Sequence, residues 1–86
     1  MYYTYVLQSE KDKSLYVGFS TNLKKRVVSH NKGESTYTKN KRPLKLIFYE
    51  SYLSISDAKR REKYLKTTKG KTTLRYMLRD YLKNSK

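Results

Sequence analysis

Two short runs constrain the fold more than anything else in this chain: YYTYVLQ (2–8) and SLYVGFS (14–20). Both are rich in aromatic and β-branched residues, and the stretch between them, SEKDK, is polar and charged. Such a pair reads as a β-hairpin with a medium-length loop. Side chains alternate along a strand, so Tyr3, Tyr5 and Leu7 share one face of the first run, and Tyr2, Thr4 and Val6 the other.

After the second run the apolar period changes. Leu23 and Val27, followed by His30 or Asn31, mark one side of a helix that Ser20 or Thr21 can cap. The segment NKGESTYTKNKRP (31–43) is turn-rich, and LKLIFYESYL (44–53) reads as a third strand. Ser56 is placed to cap a second helix over 57–66, TTKG breaks it with Gly70 as a C-cap or turn, and 71–82 is a final amphipathic helix. The expectation is an α+β fold in the order β-β-α-β-α-α, a three-stranded antiparallel sheet covered by helices. A chain of 86 residues has room for one core, so residues 1–86 form a single domain.

Charge narrows the partners. Lys and Arg number 21 against seven Asp and Glu, a formal +14, and the acids are scattered. Such an excess favours polyanions, above all nucleic acid, and the ten tyrosines add faces on which bases can stack. With no cysteine and one histidine, disulfides, thiolate metal sites and zinc sites built from several imidazoles are excluded. No segment reads as a signal peptide, and no apolar run approaches the ~20 residues needed to span a bilayer. A soluble cytoplasmic protein without a membrane partner, acting as a monomer, is expected.

KGKT (69–72) has the look of a P-loop ending, but that motif needs glycine at position 65, which is leucine. Glu62 is more informative. Ala58, Glu62 and Leu65 follow the spacing of one helix face, which puts a carboxylate in the apolar stripe. It either pairs with Lys59 or Lys66 in an ordinary ion pair, or it holds a metal ion. Arg26 and His30 stand one turn apart on the first helix, and His30 shares its side with Leu23 and Val27. His30 is then either a partly buried ring with one structural hydrogen bond or a site residue. Tyr5 and Tyr16, in adjacent strands, are equally acceptable as core.

Taken in order, these residues resemble the paired signature of the GIY-YIG nuclease superfamily. Thr4-Tyr5-Val6 and Tyr16-Val17-Gly18 match its two tripeptides, followed by Arg26, His30 and Glu62. The stretches YTKNKRPLKLIFYE (37–50), AKRREKYLK (58–66) and LKTTKGKTTLRYML (65–78) are similar to its small, stand-alone bacterial branch, related to the N-terminal nuclease domain of the excinuclease C subunit. The departures are threonine for the first glycine, at position 4, and valine for isoleucine in both tripeptides.

The resemblance implies a DNA endonuclease using Mg²⁺ or Mn²⁺, with Tyr5, Tyr16, Arg26, His30 and Glu62 catalytic and Glu62 the metal ligand. It casts Tyr16 as the base that takes a proton from the attacking water, supported by Tyr5 and His30. A single carboxylate can serve a hard cation when phosphate oxygens and waters complete the shell, and arginine presents phosphate with a planar fork that lysine lacks. Gly18 lets backbone approach closely where the helix begins, near a bound phosphate. Without a separate recognition domain, cleavage should depend on DNA structure rather than base sequence. The alternative is a non-catalytic basic module that binds DNA or RNA.

Overall fold

The computed structural model describes residues 1–84, and its elements follow from the patterns above. Strand β1 (Tyr2–Ser9) and strand β2 (Leu15–Ser20) form the hairpin, helix α1 (Leu23–Asn31) follows, and strand β3 (Leu44–Tyr52) returns beside β1. Helices α2 (Ile55–Leu65), α3 (Thr68–Met77) and α4 (Arg79–Asn84) complete the chain. The order β-β-α-β-α-α is therefore as expected, with the last helical stretch interrupted at Leu78. The sheet is antiparallel throughout in the order β2-β1-β3, so the first strand is central and buried along most of its length.

Alternation on β1 supplies two cores rather than one covered face. Tyr5 and Leu7 pack with Leu44 beneath Leu23 and Val27 of α1. Val6, on the opposite face, packs with Val17 against Leu65 of α2 and Leu74 of α3. The sheet is thus sandwiched between α1 and the α2/α3 pair. A bulge in the β1–β3 pairing, where Val6 faces Phe48 and Leu7 faces Leu46, leaves Ile47 as the extra residue and sends it with Phe48 toward the α2/α3 core.

Thr4 is fully buried, and its hydroxyl donates to the Ala58 carbonyl at 2.6 Å. A side chain is useful there because it ties α2 to the central strand. Asn31 does similar work for α1. Its Oδ1 accepts from the Leu44 backbone N–H at 2.8 Å and its Nδ2 donates to the Leu44 carbonyl at 3.0 Å, so the side chain pairs with β3 as a neighbouring strand would.

The helix boundaries need correction. Helix α1 is capped by Asn22, whose Oδ1 accepts from the Lys25 N–H at 3.1 Å, and not by Ser20 or Thr21. The Ser20 hydroxyl is engaged with the Asn22 backbone and shapes the turn instead. Helix α2 begins two residues before the expected 57, with Ser54 rather than Ser56 as its N-cap. The break after it is short: Thr67 caps α3, accepting from the Gly70 N–H at 3.0 Å and donating to the Tyr64 carbonyl at 2.6 Å.

Gly70 accordingly lies inside the first turn of α3 and is buried, not a C-cap. A Cβ built there would sit 1.8 Å from the Tyr64 carbonyl oxygen, so the glycine is what lets α3 start directly against the end of α2. Among the described residues no helix is long and apolar enough to cross a membrane.

Gly70→Ala tests this packing, because propensity and sterics have opposite signs. Alanine is the better helix former by about 1 kcal/mol, yet overpacking against fixed backbone costs about 1–3 kcal/mol and occasionally more. Urea denaturation should give a net loss of up to about 2 kcal/mol, the clash outweighing propensity. A variant as stable as the parent would mean that α3 does not bear on α2 at this point.

Candidate active site

The β1–β2 register sets the two tyrosines. Tyr5 pairs with Gly18 and Leu7 pairs with Tyr16, which places Tyr5 and Tyr16 on one face, diagonal to each other. The Tyr5 ring lies over Gly18: a Cβ at that glycine would fall 2.4 Å from both Cζ and the hydroxyl oxygen of Tyr5. In the structure the close approach that Gly18 permits is that of the Tyr5 side chain.

Helix α1 brings His30 down onto the same face, where it is 2 % exposed. Its Nε2 is 3.0 Å from the Tyr5 hydroxyl, and its Nδ1 is 2.7 Å from the Thr38 hydroxyl. The Tyr16 ring meets the imidazole edge to face, with centroids 5.2 Å apart. His30 thus makes two buried hydrogen bonds, one more than a purely structural ring was expected to make.

Burial, followed by the positive charge of Arg26, holds the imidazole pKa below its ordinary 6.5, so the ring is neutral at neutral pH. Burial first, and then Tyr16, pushes the Tyr5 phenol well above the usual range; Arg26 acts against this and Glu62 adds to it. Tyr5 accordingly keeps its proton. A neutral imidazole donates from one nitrogen and accepts at the other, so the chain Tyr5–His30–Thr38 can run its hydrogen bonds in either direction.

Thr38 was not anticipated. It is 2 % exposed and fixes the far side of the imidazole, but it lies in the segment read only as turn-rich. Threonine in such a stretch carries no periodic signal; only its contact with His30, eight residues earlier in the chain, distinguishes it.

Arg26 stands exposed, one turn before His30, and borders a recess of about 460 Å³ whose walls include Asn22, Lys25 and Lys32. Glu62 is half-buried on α2, which packs against both β1 and β2. Its carboxylate accepts from the Lys66 ammonium at 2.9 Å, the ion pair that the helix spacing allowed. Lys59, the other expected partner, instead lies over the Phe19 ring at 5.3 Å. The fold brings Tyr5, Tyr16 and His30 into contact on one face of the sheet, while Arg26 and Glu62 reach the Tyr5 hydroxyl only through their charges. Among the described residues no three acidic, histidine or cysteine side chains converge as a ready-made metal cluster. Any metal ion here would rely on Glu62 with water and substrate oxygens.

Residues 1–76 match the family described as the GIY-YIG catalytic domain. A UPF0213 protein of Staphylococcus haemolyticus is 43% identical over 67 residues, covering 77% of this chain and 80% of its own length. One from Clostridium perfringens is 42% identical over 67 residues, covering 77% of this chain and 71% of its own. The solution NMR structure of a UPF0213 protein from Bacillus halodurans superimposes with a TM-score of 0.56 at 30% identity, covering 90% of this chain and 85% of that one.

The buried neutral imidazole has a measurable consequence. Because its folded pKa lies below the unfolded 6.5, the unfolded chain binds the extra proton first, and stability falls as pH drops below 6.5 until the folded pKa is reached. Denaturation midpoints followed down through that window should decline, and His30→Gln, which cannot titrate, should lack that part of the slope. An identical slope in both proteins would mean that His30 takes up its proton equally well in the folded and unfolded chains.

Proposed function

The chain belongs to the GIY-YIG catalytic-domain family, and from that premise we propose that it is a metal-dependent endonuclease hydrolysing phosphodiester bonds in DNA. The observation that supports the reading is the buried Tyr5–His30 hydrogen bond with the Tyr16 ring against the imidazole, in electrostatic range of Arg26 and Glu62. Packing alone does not require two phenols and an imidazole to meet in one cluster.

Arg26 offers its fork of donors to the phosphate being attacked and spreads the developing negative charge. Glu62 would hold Mg²⁺ or Mn²⁺; a lone oxygen donor that is only partly exposed fits a hard cation that keeps waters and takes up phosphate oxygens. When bound, the ion supplies positive charge to the phosphate and acidifies a water. Tyr16 accepts the proton of the attacking water. Tyr5 stays protonated and orients the imidazole, on which the Tyr16 ring packs, and the Tyr5–His30–Thr38 chain can shift its bonds as charge changes nearby. The water oxygen bonds to phosphorus as its proton passes to Tyr16 acting as phenolate, the P–O3′ bond breaks, and the leaving O3′ takes a proton from solvent, giving a 5′-phosphate and a 3′-hydroxyl. With a formal charge of +14, affinity comes from phosphate contacts, and selection is by DNA structure rather than base sequence.

The Glu62–Lys66 pair favours a second reading, a non-catalytic basic module that binds DNA or RNA, in which that carboxylate is structural. Glu62→Gln separates the two. A pair exposed to 23% at Glu62 and 49% at Lys66 is worth only ~0–1 kcal/mol, so the melting temperature should stay near that of the parent. DNA binding should persist, because one negative charge has gone. Cleavage in Mg²⁺ should collapse, since an amide is a poor ligand for a hard cation. A variant that still cuts removes the metal-ligand role.

Tyr16→Phe is the companion test of the base. The ring still packs on His30, so fold and binding should be kept, while the rate of DNA cleavage should drop by ~10²–10⁴-fold. Parental rates would assign Tyr16 to packing alone.

A further inference from the structure

Beside Tyr16, on the α2/α3 side of the edge strand, lies a cleft of about 480 Å³, within the ~300–1,000 Å³ range of small-ligand clefts. Leu15, Val17 and Leu74 form its apolar floor, and its rim is Lys66, Lys71 and Arg75. No carboxylate lines it.

Lys71 and Arg75 are one turn apart on α3 and both exposed. Like charges at that spacing repel, which disfavours the helix unless an anion lies between them. Neither has an ion-pair partner among the described residues, whereas Arg60, Arg61 and Lys41 each face an acid. Lys66 connects the cleft to the candidate site, because the ammonium on the rim is the one that bonds Glu62. A cation taking up that carboxylate would free Lys66 to face the cleft.

We propose that this cleft binds the sugar-phosphate backbone of the DNA strand being cut, at the linkage next to the one hydrolysed, with Lys71 and Arg75 as its phosphate ligands. The proposal rests on the nuclease reading for the identity of the strand, and on the charge and shape of the cleft for its binding. Tyr16 stands between two cationic regions: its ring meets His30 on the α1 side, and it also lines the cleft. A strand crossing Tyr16 therefore meets Arg26 on one side and Lys71 with Arg75 on the other. The apolar floor accommodates sugar and base without reading sequence, and the cations hold the strand by its phosphates.

The test compares Lys71→Gln/Arg75→Gln with Lys39→Gln/Lys45→Gln, which removes the same charge from β3, the far edge strand, and the turn before it. All four positions are exposed, so the folds should persist, and thermal melting checks this. Binding of a labelled DNA oligonucleotide in chelator is followed against salt. The cleft variant should flatten the log–log slope by about 1.5, at ~0.7–0.9 for each phosphate no longer neutralised. The control should keep the parental slope. In Mg²⁺ the cleft variant should raise KM and leave kcat nearly unchanged, as removal of uniform binding does. Equal slopes in the two variants, or a cleft variant that binds like the parent, overturns the proposal even if the enzyme cuts. A cleft-dependent slope in a protein that never cuts would instead sustain the cleft and remove the nuclease reading.

Discussion

The arrangement depends on one buried interaction, the hydrogen bond between the Tyr5 hydroxyl and His30 Nε2. It forms only because the Tyr5 ring can lie over a residue with no side chain, Gly18, paired directly across the hairpin. That bond docks α1 onto the sheet, and docking α1 fixes where Arg26 projects and how Tyr16 meets the imidazole. An apolar pair in the same place would pack α1 equally well. It would not orient a hydroxyl, nor would it penalise a slip of the helix by leaving polar groups unpaired.

The sheet was legible in the sequence because alternation is a local property. The placement of Tyr5 with Leu7, and of Thr4 with Val6, could be read from residues 2–8 alone, and both cores follow from it. The site was legible in part for the same reason. Spacing on α1 brings Arg26 and His30 to neighbouring positions, and spacing on α2 exposes Glu62 as a carboxylate out of place. Family resemblance, not spacing, joined those helices to the tyrosines.

What the sequence concealed is non-local. Gly70 looks like a helix terminator, and only the approach of the Tyr64 carbonyl explains why it sits within a first helical turn. The bulge at Ile47 is a property of pairing between strands some forty residues apart, invisible in either strand. Asn22 outcompetes Ser20 and Thr21 as a cap because the Ser20 hydroxyl is already engaged in the preceding turn. Thr38 belongs to a segment whose local composition suggests nothing beyond a turn, and it acquires meaning only from the imidazole its side chain meets.

The occupied imidazole also bears on which metals the protein can accept. Histidine is a preferred ligand for zinc, copper and nickel, and those ions outcompete magnesium wherever a nitrogen lone pair is free. Here one ring nitrogen is engaged with Tyr5 and the other with Thr38, both inside the fold. To coordinate such an ion the ring would have to break a buried hydrogen bond and strand a hydroxyl. The chain has no cysteine to offer instead. Oxygen donors are what remain near the candidate centre, so the threonine that steadies the histidine also insulates it from poisoning by the more avid transition metals.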